Sequence, residues 1–296
     1  MTEFTIHPIE PQHITLFFEL YARAGLSAPD ELRSAGYLSA IVSMLHTKYA
    51  FGAWQGGELA GVAIGAAMGK IGAVLYCCVA SQYQRQGIAT ALLETVTANV
   101  LSHAEVCIVQ LPITAQWELG WLISCGFQCV EPQFIIRKPV SEVVNDSESS
   151  GSASGTQWQD VLNMEHFGAA MERAALGHFL RLGSHDACTG MIFVETAPRR
   201  QAASQTAAVS FGSVRRSLGN DTMMAALRSA ESIARNAKKR WLIAALNGIY
   251  HRELESVLKA GWTIAKTCHR MVHKKSLPRY RQLQALPQVD LSHWSL

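Results

Sequence analysis

The pattern of apolar and polar positions over residues 1–140 predicts alternating strands and helices. Apolar residues that alternate or run together indicate strands, and apolar residues that recur every three or four positions indicate helices. The predicted strands are Thr5–Ile9, Tyr49–Trp54, Glu58–Ala67, Ala73–Val79, Glu105–Leu111 and Phe127–Lys138. The predicted helices are Ile14–Tyr21, Tyr37–His46, Gly87–Leu101 and Gln116–Cys125, the last ending at Gly126. This order is of the mixed α/β type.

The stretch Val79–Leu93, which reads VASQYQRQGIATALL, joins a predicted strand to a predicted helix. Free backbone N–H groups at a helix start, together with the positive end of the helix dipole, form an anion site. Gly87 and Ala89 leave the first turn without bulky side chains, so a phosphate can approach the main chain. A single glycine would also fit an ordinary strand-to-helix turn.

The whole stretch resembles the acetyl-CoA-binding segment of the GNAT superfamily of N-acyltransferases, whose pattern is Q/R-x-x-G-x-G/A after a strand that ends in Val. Gln84, Gly87 and Ala89 fill the three defining positions. The resemblance implies that the loop amides hold the CoA pyrophosphate of acetyl-CoA and that the preceding strand pairs with the pantetheine arm. The cofactor-binding residues that it implies are Cys78, Val79, Gln84, Arg85, Gln86, Gly87, Ile88, Ala89 and Thr90.

An internal repeat relates the two halves of the chain at an offset of 135 residues. The offset pairs Gly126-Phe127 with Gly261-Trp262, Leu111 with Leu246, Glu118 with Glu253 and Val79 with Val214. Gln84, Gly87 and Ala89 fall on Gly219, Thr222 and Met224, so the second copy lacks the motif. We expect Met223 and Met224 to crowd the phosphate position. The sequence predicts two tandem GNAT-like domains, each a mixed sheet flanked by helices, with a degenerate second copy; a chance alignment is the alternative.

The domain boundaries follow from the repeat and from a polar segment between its copies. Asn145–Thr156 consists of small and polar residues typical of a linker. We predict a first domain at 1–140, a linker at 141–156, a degenerate domain at 157–276 and a C-terminal tail at 277–296.

The sequence also offers candidates for the catalytic residues. By resemblance, main-chain N–H groups around Cys78 and Val79 polarise the thioester, and a Tyr four residues before the glycine that ends the later helix acts as acid. This chain has Leu122 at that position. Tyr76 is the best substitute acid, although strand aromatics often lie in the core. Glu118 is a candidate base, but its repetition as Glu253 also fits a structural role.

The composition and residue spacing bear on the cellular compartment, on membrane spans and on metal binding. Seven cysteines without paired spacing and an N-terminus without an apolar signal core favour reduced thiols in a cytoplasm. The apolar stretch Gly61–Ala80 contains Lys70 and several glycines, which favour strand, turn and strand over a membrane span. His269 and His273 would lie about 13 Å apart on a strand, so we expect no metal site.

The net charge is +3, and basic residues cluster in the second half, at Arg215-Arg216, Lys238-Lys239-Arg240, and Lys274-Lys275 with Arg279 and Arg281. They indicate a solvated face or an electropositive surface, and without a nucleic-acid-binding motif nucleic acid is an unlikely partner. We therefore expect a cytoplasmic acetyl-CoA-dependent N-acetyltransferase, monomeric or homodimeric, acting on a small-molecule or peptide amine acceptor. The alternative is a non-catalytic acyl-CoA-binding or interaction module.

Overall fold

The computed structural model describes residues 3–24, 49–141, 176–184, 187–197, 205–216, 220–286 and 288–291. The helix predicted at Tyr37–His46 and the linker predicted at Asn145–Thr156 lie outside the described residues.

The elements of the first half, residues 5–139, follow the predicted order. They are β1 (Thr5–Pro8), α1 (Ile14–Arg23), β2 (Ala50–Gln55), β3 (Glu58–Met68), β4 (Ile71–Val79), α2 (Ile88–Leu101), β5 (Val106–Pro112), α3 (Gln116–Ser124) and β6 (Phe127–Pro139). Gly56 and Gly57 have φ values of 59° and 83°, which supports the β2–β3 turn predicted from the Gly pair.

The second half, residues 177–290, has a similar order of elements. They are β7 (Gly177–Ser184), β8 (Ala187–Glu195), β9 (Thr206–Arg215), α4 (Asp221–Asn236), β10 (Trp241–Asn247), α5 (His251–Lys259), β11 (Thr263–His273), α6 (Leu277–Gln284) and β12 (Gln288–Asp290). β10 and α5 have the bounds of β5 and α3 plus 135, since 241 − 106 = 135 and 251 − 116 = 135. The internal repeat is therefore a repeat of structure.

The described strands form one sheet in the order β1-β2-β3-β4-β5-β11-β6-β10-β9-β8-β7, with β12 beside β9. The pairs β4–β5 and β9–β10 are parallel, and the other pairs are antiparallel. This mixed sheet with helices on its faces is the predicted fold class.

The two halves exchange strands at the centre of the sheet. β11 of the second half pairs with β5 of the first, and β6 of the first half pairs with β10 of the second. The registers agree: Ile108 is opposite Val272, and Ile243 is opposite Arg137, so each partner shifts by 135. Each half thus completes the sheet of the other, and the exchanged strand β11 lies on the side of β5 that faces away from β4.

Equivalent residues form separate cores beneath the helices of each half. Val79, Leu92, Leu122 and Phe127 are buried in the core below α2 and α3, and their equivalents Val214, Leu227, Val257 and Trp262 are buried in a second core. A third core, on the opposite face of the sheet, contains residues of α1 and α6 together with Phe193 of β8 and Phe211 of β9. The predicted tail 277–296 includes α6 and β12, and the predicted domain boundaries stay a prediction.

Candidate cofactor cleft and active site

Strands β4 and β5 separate halfway along their length. They pair in parallel from Ile71–Val106 to Val74–Val109. Leu75 is then an extra residue in β4, because Gly65 of β3 pairs with Val74 and Ile64 pairs with Tyr76. Among the described strands, β4 pairs only with β3 from Tyr76 to Val79, while β5 continues beside β11. We call this opening the first cleft. It leaves the main-chain N–H of Val79 facing outward, whereas the main chain of Cys78 faces Val62 of β3, because the Ala80 N–H donates to the Ala60 carbonyl and pairing alternates along the strand.

The loop that follows β4, Ser81–Gly87, leads to a helix start with free amides. Gly87 has φ 84° and precedes α2, and nothing lies within 4 Å of the position a Cβ would take there. The first bond of the helix runs from the Ala91 N–H to the Gly87 carbonyl oxygen at 3.0 Å. The amides of Ile88, Ala89 and Thr90 consequently have no acceptor within the helix, which makes this turn a site for an anion.

Contacts from three sides hold this loop, which we call the cofactor loop. The Tyr83 hydroxyl donates to the Glu58 carboxylate at 2.9 Å, and the Ser81 hydroxyl donates to the Arg23 carbonyl at 3.1 Å. Gln84 Nε2 donates to the Val79 carbonyl at 3.2 Å, so this motif side chain stabilises the loop itself. A loop fixed before a ligand arrives loses less conformational entropy on binding.

Helix α3 forms the rim beside the cofactor loop through two tryptophans. The Trp121 indole N–H donates to Thr90 Oγ1 at 3.1 Å. The Arg85 guanidinium lies over the Trp117 ring, 5.0 Å from its centroid, and Trp117 is 60% exposed. Sequence reasoning missed both tryptophans; the signal that could have found them is their spacing of four on a short helix that follows β5.

Tyr76 is the first β4 residue after the bulge and lies at the start of the first cleft. Its ring packs edge-on against Phe17 of α1, with the centroids 5.4 Å apart, and its hydroxyl interacts with the Cys78 thiol. Burial raises the pKa of the Cys78 thiol to about 11, so this thiol is neutral near pH 7.

The other sequence-derived candidates lie elsewhere. Glu118 is exposed in the first turn of α3, and within the described residues it makes no hydrogen bond that joins it to Tyr76. Leu122 is 2% exposed and belongs to the core below α2 and α3. The position where the family commonly has its acid Tyr is therefore filled by a core residue.

Residues 16–115 match the family model described as Acetyltransferase (GNAT) family. A tandem GNAT protein from the clavulanic acid biosynthesis pathway superimposes over 91% of this chain and 98% of its own, with a TM-score of 0.61 at 11% identity. A GCN5-related N-acetyltransferase from Sphaerobacter thermophilus covers 91% and 95%, with a TM-score of 0.57 at 14% identity. Residues 16–115 thus match the GNAT family, and the chain as a whole has the fold of a tandem GNAT protein.

Other comparisons agree on the fold. A putative acetyltransferase from Pyrococcus horikoshii superimposes over 91% of this chain and 88% of its own, with a TM-score of 0.56 at 14% identity. A search of curated protein sequences gave no match. Within the described ranges, no helix is long and apolar enough to cross a membrane, and no three His, Cys, Asp or Glu side chains form a group that could hold a metal ion.

The second half lacks the bare helix turn. Helix α4 already begins at Asp221, the equivalent of Gln86, so the equivalent of Gly87 lies inside the helix as Thr222. The Asp221 carboxylate in the first turn would repel a phosphate. The expectation that Met223 would crowd the phosphates is wrong, because Met223 is 1% exposed and packs in the core as its equivalent Ile88 does.

Parallel strands also separate in the second copy. β9 and β10 pair only from Thr206–Trp241 to Ala208–Ile243, and we call the opening beyond them the second cleft. Strand β12 lies in it and pairs with β9. The two clefts therefore differ in two respects. The helix after β9 starts earlier than the helix after β4, and β12 pairs with β9 in the second cleft.

Two residues of the basic clusters are neutralised by carboxylates. Arg216 Nε donates to Glu253 at 2.6 Å, and Arg279 Nε donates to Glu105. The Arg279 contact holds the pKa of the Glu105 carboxyl below its usual value. These pairs give both arginines a structural role.

Proposed function

We propose that this GNAT protein transfers an acetyl group from acetyl-CoA to an amine acceptor, and that the first half alone holds the cofactor. The observation that carries the proposal is the difference between the halves: an open cleft with a glycine-started helix turn in one, and an acidic, earlier-starting helix in the other. The amides of Ile88, Ala89 and Thr90 would bind the pyrophosphate. Arg85, Gln86 and Gly87 complete the proposed loop contacts.

The proposed reaction needs little from side chains at the carbonyl. The main-chain N–H of Val79 would polarise the thioester carbonyl, which stabilises the negative charge on its oxygen in the transition state, while the N–H of the neighbouring Cys78 faces β3. The neutral amine attacks the carbonyl carbon, the carbon–sulfur bond breaks, and the amine loses its proton. The acetylated amine and free CoA are the products.

Two groups are proposed for the proton transfers. Tyr76, at the start of the first cleft, is the proposed acid that protonates the departing sulfur. Glu118 is the proposed base; its exposed position on α3 requires that it act through water or on an acceptor bound near the rim. A thiol with a pKa of about 8.5 also leaves tolerably as a thiolate, so the acid is of less importance than the cofactor site.

Trp117 extends the proposed cofactor site beyond the loop. Its exposed ring next to Arg85 offers a stacking surface for the adenine of CoA, while the guanidinium offers a positive charge for a phosphate. In this assignment the cofactor loop would bind the pyrophosphate of CoA, and the rim formed by α3 would bind the nucleoside.

The substitution Gly87→Glu tests the cofactor assignment. A glutamate there places a carboxylate at the proposed phosphate position and strains a residue with φ 84°. We expect calorimetry to give an affinity for acetyl-CoA lower by about 100-fold or more. Gly261→Glu is the matched control, because Gly261 has φ 85°, is exposed and has open space around its Cβ position, but lies in the second half. Equal affinity in the Gly87 variant and the wild type would place the cofactor elsewhere.

A non-catalytic CoA-binding module is the second candidate, favoured by the burial of Leu122 at the usual acid position. Release of free CoA, measured with a thiol reagent across a panel of amines and peptides, separates the two. Turnover with any acceptor rejects the pure binding module, and acetyl-CoA binding without turnover across the panel favours it.

A further inference from the structure

The second cleft has an occupant supplied by the chain itself. β12 runs antiparallel to β9, with Val289 opposite Val214 and Asp290 opposite Ser213. At the repeat offset, Val214 and Ser213 are the equivalents of Val79 and Cys78, since 214 − 79 = 135. Val79 is the residue whose outward main-chain N–H the proposed function gives to the acetyl-CoA arm in the first half, and the inference rests on that proposal. A peptide strand therefore lies in the second half where the cofactor arm would lie in the first.

The occupying strand is packed as a core element. Val289 is 1% exposed and Leu291 is fully buried, and both belong to the core of the second half. The Leu291 N–H donates to the Gly212 carbonyl at 2.8 Å, which extends the pairing one residue past β12. Burial of both apolar side chains stabilises the segment in the second cleft.

Charge also fixes the strand, through the exchanged strand β11. Asp290 Oδ2 accepts from Arg270 Nη1 at 2.9 Å, and Arg270 is 2% exposed. Burial by itself would lower the pKa of Arg270, but the contacts with Tyr280 and Asp290 hold it above its usual range. A buried guanidinium that lost this carboxylate would be left in the interior with an uncompensated charge.

A hydrogen-bonded cluster beside this ion pair joins α6 to the same region. Glu131 of β6 accepts from Asn247 Nδ2 at 2.5 Å, from Gln284 Nε2 at 2.7 Å and from the Tyr280 hydroxyl. Tyr280, which is 3% exposed, also contacts Arg270. Helix α6 is thus bound to both exchanged strands, and β12 is bound to β11.

We infer that the second cleft is a strand-binding site whose ligand is the chain's own segment Gln288–Leu291, which excludes pantetheine from the second half. The exclusion has two independent sources. One is the acidic start of α4, which disfavours the pyrophosphate, and the other is β12, which takes the hydrogen bonds of β9. The chain consequently binds one CoA.

Hydrogen exchange with the full-length chain tests the occupant directly. We expect the amides of Val289 and Leu291, which face β9, to exchange about 100-fold or more slowly than in the free peptide, because pairing alternates along the strand and the Leu291 N–H donates to the Gly212 carbonyl. Val289→Asp places a charge in the core and should release the segment, with faster exchange at Ser213–Arg215 of β9. Leu286→Asp is the control, since Leu286 is 37% exposed and a charge there should leave the protection unchanged. Added peptide 288–296 of wild-type sequence should restore the protection of β9 in the Val289 variant.

Calorimetry with CoA adds the stoichiometry, for which we expect one CoA per chain. Unprotected amides at Val289 and Leu291 in the wild type, or a stoichiometry near two, would overturn the inference. If the Val289 variant does not fold, hydrogen exchange and CoA stoichiometry of the wild type still test the inference. Absence of CoA binding together with protected amides would reject the proposed function and leave the strand occupancy standing.

Discussion

Glu118 and Glu253 occupy equivalent positions in the first turns of α3 and α5, but they have opposite environments. Glu253 is 1% exposed and accepts from Arg216 at 2.6 and 3.3 Å, whereas Glu118 is exposed. The equivalent of Arg216 is Ser81, which bonds the Arg23 carbonyl. The two halves therefore use the same residue differently: Glu253 fixes a structural ion pair, and Glu118 is left available.

Substitution of these two glutamates should separate stability from activity. We expect Glu253→Gln to lower the free energy of unfolding by about 1 to 2 kcal/mol, because a charged hydrogen bond to Arg216 becomes a neutral one. Glu118→Gln should change it by less than about 0.5 kcal/mol. If Glu118 is the base, the same change lowers kcat by about 100-fold. Urea unfolding and a CoA-release assay measure the two effects, and an unchanged kcat in the Glu118 variant would remove the base assignment.

Removal of the Trp117 ring should weaken only the nucleoside end of the cofactor. Base stacking on an aromatic ring contributes about 1 to 3 kcal/mol, so we expect Trp117→Ala to lower the affinity for CoA by about 10-fold. The affinity for 4′-phosphopantetheine, which lacks the adenosine, should not change. Trp117→Phe keeps a stacking surface and should recover most of the loss. Equal weakening for both ligands would point to a disturbed loop instead of a lost stack.

The Tyr76 hydroxyl can be removed while its packing on Phe17 is kept. We expect Tyr76→Phe to leave CoA affinity unchanged and to lower kcat by about 10-fold or more, because the departing sulfur loses its proton donor. An unchanged kcat in the variant would show that the hydroxyl does not act as the acid.

The thiol of Cys78 should be unreactive, although it lies on the strand of the first cleft. Its raised pKa of about 11 leaves about one part in a thousand as thiolate at pH 8. We therefore expect iodoacetamide at pH 8 to modify the exposed Cys129 well before Cys78, as read by peptide mass spectrometry. Burial also raises the pKa of Cys107, to about 12, which makes it a second unreactive reference. Fast modification of Cys78 would mean that the first cleft opens further than this structure has it.

The sequence was most informative where local rules decide structure. The start of α2 after Gly87 was predictable because a bare turn before an apolar stripe is a local signal, and it begins at Ile88. The tryptophan rim was not predictable in the same way. The role proposed for Trp117 depends on its contact with Arg85. Arg85 is distant in sequence and reaches the ring only because α3 packs beside the cofactor loop.

The expectation for Met223 shows how a correct alignment can give a wrong contact. The offset placed this residue at the position of Ile88, but the sequence could not say that the side chain turns into the core of its own half. What obstructs the site is the earlier start of α4 at Asp221. The direction of a side chain depends on which face of the helix is packed, and that is set by the sheet below it.

By itself, the sequence determined the elements, the repeat at 135 residues and the loss of the glycine turn in the second copy, because each is a matter of local periodicity and residue type. Only the tertiary structure decided that β6 and β11 change places and that Gln288–Asp290 pair with β9. Strand partners far apart in sequence are chosen by hydrogen bonding and burial over the whole sheet, and no local pattern records that choice.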